Sequence, residues 1–157
     1  MIFIFFLTFI AVSLHGSSFE ELKNKHNIKH IHYLTYHNNI EELTKLLSED
    51  TSSINHQDAH GNTPLHYAAY YNRKSIVKLM LENNVSVDIP NALGDTPLFL
   101  ATAKNNQDVM MLLCEHDADI NKKNKWGNSP FNFSNQHNKE ILESADLFNS
   151  INRKPRG

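Results

Sequence analysis

The sequence contains a single cysteine, Cys114, so no internal disulfide can form. That excludes the small secreted scaffolds that depend on crosslinks. Glycine is nearly as scarce. The five glycines form no GxGxxG and no GxxxxGK[ST] arrangement, which removes the usual phosphate-cradling loops. An excess of one charge is also missing: 15 Lys and Arg stand against 17 Asp and Glu, a formal net charge of −2, and the pI is near 6.5. Without a cationic excess the chain is not expected to bind nucleic acid, because such affinity comes mainly from neutralising phosphates. No nucleophile, general base and orienting group can be named together, so no enzyme, catalytic residue or cofactor is expected. What is present is 40% hydrophobic and 20% charged residues in 157, enough for one modest core. The chain is too apolar and too weakly charged to be disordered throughout.

Apolar residues concentrate at the start. Ile2 to Leu14 is almost unbroken, yet thirteen helical residues rise only about 20 Å, short of the roughly 30 Å hydrocarbon core. His15-Gly16-Ser17-Ser18 follows, with small residues suited to cleavage. Residues 1–18 therefore read as a secretory signal peptide, although no Lys or Arg precedes the apolar run. The expected product is secreted or periplasmic, without stable membrane insertion once the leader is removed. A membrane anchor formed by an uncleaved leader is the lesser option.

The remainder repeats with a period of 33. Asp58-Ala-His-Gly-Asn-Thr-Pro-Leu-His, Asn91-Ala-Leu-Gly-Asp-Thr-Pro-Leu-Phe and Asn124-Lys-Trp-Gly-Asn-Ser-Pro-Phe-Asn align without gaps. Units of 33 divide the chain into a degenerate amino-terminal cap over 25–57, repeats over 58–90 and 91–123, and a divergent carboxy-terminal cap over 124–156. Each unit predicts a turn, a helix, a turn and a second helix. Thr63 precedes Pro64, and proline in a first helical turn loses no hydrogen bond while threonine can cap free N–H groups. Asn39, Asn72, Asn105 and Asn138 share one phase and are expected to take the left-handed conformation between the two helices. Asn84 and Asp117 mark the second-helix ends. In the first unit, His30-Ile31-His32-Tyr33 falls at the Thr-Pro-Leu-His position. The run Ile76-Val77-x-Leu79-Met80-Leu81 supplies the second helix's apolar residues, with Leu79 expected in the core.

Gly61 to Ala69, Gly-x-Thr-Pro-Leu-His-x-Ala-Ala, resembles the ankyrin repeat family, and the second-helix run agrees. The resemblance covers about four units. Departures from the pattern are Phe99 and Thr102 in the third unit, and Ser129, Phe131, Asn132, Ser134 and Asn135 in the last. The resemblance implies an all-α solenoid of stacked helix-turn-helix units with short β-turn fingers, probing a protein partner through a concave strip of fingers and first helices. Carried over residue by residue, the partner-binding candidates are His60, Asn62, Tyr70, Tyr71, Leu93, Asp95, Lys104, Trp126 and Asn128. Gln136 and His137 fall at the last unit's exposed first-helix positions.

Competing readings of single residues are plainer. His26, His30 and His37 could share a helix face, but no cysteine or paired carboxylate completes a metal set, so no metal site is expected. His66 reads as structural and Cys114 as a small core hydrophobe. The expectation is a non-catalytic, monomeric protein-interaction module with an unidentified protein partner. The alternative is a metal-binding or enzymatic protein on the same scaffold.

Overall fold

The computed structural model of the chain describes residues 29–152. The expected leader over 1–18, His26 and the basic tail Arg153-Lys154-Pro155-Arg156 lie outside the described residues. Within them every regular element is a helix: α1 (His30–Tyr36), α2 (Ile40–Glu49), α3 (Pro64–Tyr70), α4 (Lys74–Glu82), α5 (Pro97–Ala103), α6 (Gln107–Glu115), α7 (Pro130–Phe133) and α8 (Gln136–Asn152). Proline opens α3, α5 and α7, where its missing N–H is no loss. The preceding Thr96 and Ser129 cap their helices by accepting the backbone N–H of Phe99 and Asn132.

Two rows result. First helices stack α1 on α3 on α5 on α7, and second helices stack α2 on α4 on α6 on α8. One apolar core runs between the rows from Ile31 and Leu34 of α1 to Leu142 of α8, through Leu65, Ala68, Ile76, Met80, Leu98, Val109 and Leu113. Burying each of the large aliphatic residues stabilises the fold by roughly 1.5–3 kcal/mol. Within α4 the buried positions are Ile76, Val77, Met80 and Leu81, while Leu79 is only partly covered. The expectation that Leu79 is core is corrected accordingly: it lies on the flank of a stripe set by residues four apart. Cys114 is buried, and its thiol is pushed up to about 12 by desolvation, with nearby carboxylates adding to the effect.

The turns revise the alignment. Asn72 (φ 55°) and Asn105 (φ 58°) are left-handed as expected, but in the first unit the left-handed residue is Asn38 (φ 58°), and Asn39 caps α2. The reason is one additional residue in α2, which has 10 residues where α4 and α6 have 9 each. Everything before α2 is therefore displaced by one position. His32, not Tyr33, is the counterpart of His66: each Nε2 meets a carbonyl of the following finger, His32 that of Asn62 and His66 that of Asp95, both at 3.0 Å. In the last unit α7 stops after 4 residues. Asn135 then accepts the N–H of Asn138 and starts α8 early, so Asn138, Gln136 and His137 are helical residues of α8, not turn or first-helix positions.

Candidate functional site: the finger and first-helix face

Each finger is built on an Asx turn. Oδ1 of Asp58 accepts the N–H groups of His60 and Asn62; Asn91 does the same for Leu93 and Asp95, and Asn124 for Trp126 and Asn128. These bonds fold three residues into a tight bend with a positive-φ glycine at its end, Gly61, Gly94 and Gly127. Neighbouring fingers join through single backbone bonds: Ala92 N–H to the His60 carbonyl, and Lys125 N–H to that of Leu93. Side chains reinforce the row, since Asn91 donates to Asn62 and Asn124 to Asp95.

That bonding decides which expected contact residues reach solvent. Asn62 (5% exposed) and Asp95 (1%) are inside, so the structure places these two within the fingers, where they brace the row. Desolvation raises the Asp95 carboxyl above the usual carboxylate range, and the Asn124 hydrogen bond partly offsets this. His60, Leu93 and Asn128 are half-buried, whereas Lys104 and Trp126 are exposed.

Tyr70 and Tyr71 are half-buried members of an aromatic ladder. Tyr36 meets Tyr71 edge-on at 5.1 Å between centroids, and Tyr71 meets Tyr70 edge-on at 5.0 Å. Lys104 Nζ sits 4.7 Å above the Tyr70 ring, and the Arg73 guanidinium lies 6.0 Å from the Tyr71 centroid. Burial pushes the Tyr71 hydroxyl above its ordinary range, with the neighbouring tyrosines adding to the effect. The ladder rests on a small buried cluster of Tyr67, Phe99 and Leu100. Phe133, exposed, touches Phe99 at 5.0 Å.

Two members of this surface escape sequence reasoning. In a gap-free alignment Tyr36 pairs with Ala69; with the added residue in α2 it pairs with Tyr70, so the missing signal is the one-residue offset. Phe133 is in phase with Leu100 and Tyr67, both buried, but is exposed on the short α7, which ends the row of first helices among the described residues and stacks on α5 alone.

His66 is held neutral. Its Nδ1 accepts the Thr63 N–H at 3.0 Å, Nε2 faces the Asp95 carbonyl, and desolvation lowers its pKa to about 4. His32, equally enclosed, is lowered to about 4 for the same first reason. His30 lies beside Glu42, while His37 packs on Tyr33 and Tyr36. Among the described residues no group of three His, Cys, Asp or Glu side chains is placed to share a metal ion. Among the same residues no helix is long and apolar enough to cross a membrane.

Helical hairpins in register, linked by hydrogen-bonded fingers, define a solenoid repeat protein. A family model described as ankyrin repeats (3 copies) matches residues 9–91, 31–124 and 74–144, and the chain belongs to the ankyrin repeat family. A comparison with curated proteins gave no match. Ankyrin repeats are generally protein–protein interaction modules, and the family is typically non-enzymatic.

Proposed function

We propose that this chain is a non-catalytic protein-binding module, exported by the cell that makes it, whose partner is engaged by the fingers and first helices. The observation that carries this reading is the Tyr36–Tyr71–Tyr70 ladder with Lys104 above it, open to solvent on one side. Half-exposed rings held by their neighbours offer a large contact area at little cost in side-chain entropy, which is why tyrosine is prominent in binding hot spots. Affinity capture from the natural environment tests it: the native chain should retain a specific protein that a Tyr70→Ala/Tyr71→Ala variant loses. Equal retention by a folded variant would refute the assignment of this face. Export is tested separately by deleting Met1 to Ser18. The product should then stay inside the cell, and unchanged export would defeat the leader reading.

A further inference from the structure

The two faces of the solenoid carry opposite charge. Among the described residues, the acidic side chains of the fingers and first helices are Asp58 and Asp95, both buried and bonded within the fingers. Asp58 also accepts the Tyr67 hydroxyl at 2.6 Å. Among the described residues, the charges this face presents to solvent are those of two lysines, Lys104 directly after α5 and Lys125 on the last finger. Neither pairs with a carboxylate among the described residues. The second helices carry an acidic excess, nine exposed carboxylates from Glu41 to Asp146 against the exposed lysines Lys45, Lys74 and Lys78, with Asp108 meeting Lys74 at 2.9 Å.

Resting on the reading of this face as the binding surface, we propose that its partner is an acidic, apolar peptide segment, in which carboxylates alternate with aliphatic or aromatic side chains. Lys104 supplies the argument. Its ammonium is drawn over the Tyr70 ring, so a carboxylate arriving there meets a held cation beside an apolar wall. Exposed Trp126 follows exposed Lys125 on the last finger, so an aromatic ring and a cation are offered to solvent from one turn there as well. Charge complementarity of this kind selects partners and speeds encounter. A single-stranded nucleic acid fits less well. Its bases need open ring faces and its phosphates a continuous cationic track, whereas these tyrosines meet one another edge to face and the lysines are few.

The test uses the full chain with four fluorescent probes: three peptides sharing one Leu/Phe pattern, with Glu, Ser or Lys between the apolar residues, and an oligothymidylate. Anisotropy should show the Glu peptide binding about tenfold tighter than the Ser peptide, with the Lys peptide weakest and the preference shrinking as salt rises. Lys104→Glu/Lys125→Glu, both exposed and expected to fold, should invert the order of the Glu and Lys peptides. Met111→Asp, on the outer groove beside Ile141 and Ala145, should change nothing. Equal binding of all three peptides that Tyr70→Ala/Tyr71→Ala still weakens would defeat the acidic partner and leave the surface standing. Peptide binding indifferent to the tyrosines but lost in Met111→Asp would defeat the surface itself. Tighter binding of oligothymidylate, or no peptide binding, overturns the proposal.

Discussion

A methyl group added at Gly61 would lie 2.7 Å from the backbone nitrogen of Ala92, whereas one added at Gly127 would meet nothing within 4 Å. Both glycines have positive φ, so either alanine substitution carries the left-handed penalty of about 1 kcal/mol or more. Only Gly61 adds a collision with the next finger. Thermal melts should therefore place Gly61→Ala clearly below Gly127→Ala; coincident curves would mean that the fingers do not touch as described. Core residues obey a similar local logic. Met80 is fully buried and Leu79 is not, so Met80→Ala should cost about 2–5 kcal/mol and Leu79→Ala distinctly less in urea unfolding.

At the scale of the element, one residue type at one sequence phase plays two roles. Asn105 is a left-handed turn residue, and Asn138 is a buried residue in the first turn of α8. Glycine suits the first and weakens the second. Asn105→Gly should leave stability within about 0.5 kcal/mol or raise it, because glycine adopts φ near 58° freely. Asn138→Gly should lose about 1 kcal/mol in helix propensity alone, and more through the lost side chain. Chemical denaturation of the pair measures the contrast, and a well-tolerated Asn138→Gly would restore the turn. Much of each element is legible in the sequence. Thr63-Pro64 and Thr96-Pro97 announce helix starts, and the left-handed Asn72, Asn84, Asn105 and Asp117 lie at element ends where expected. The added residue of α2 is not legible. A ten-residue helix and a nine-residue helix have similar propensities, and the offset is revealed by the folded chain, in the left-handed Asn38 and the pairing of His32 with Asn62.

For the whole molecule, the buried histidines link stability to pH. His32 and His66 have native values near 4, below the 6.5 of an unfolded histidine, so the unfolded chain binds protons more readily. Their penalty is absent above pH 6.5, grows as pH falls, and is complete below about 4, reaching roughly 3 kcal/mol for each. Because each unit leans on its neighbours, that loss is felt along the array. Melting temperature should fall steeply between pH 6.5 and 4, and a His66→Asn variant, weaker at neutral pH, should show a shallower fall. A flat profile would mean that these rings are not enclosed.

The sequence by itself determined the family, the helix-turn-helix plan and the phase of the fingers and first-helix starts in the last three units, because caps, prolines and glycines act over a few residues and leave local marks. Tertiary structure decided which of the finger and first-helix side chains reach solvent. Asn62 and Asp95 are taken inward by hydrogen bonds to Asn91 and Asn124 of the following fingers. Tyr36 joins Tyr71 and Tyr70 only once the added residue of α2 sets its position, and Phe133 is uncovered on a short α7 that ends the row of first helices among the described residues. Burial of a side chain depends on the unit packed against it, some 30 residues away, and that neighbour is chosen by the stacked fold.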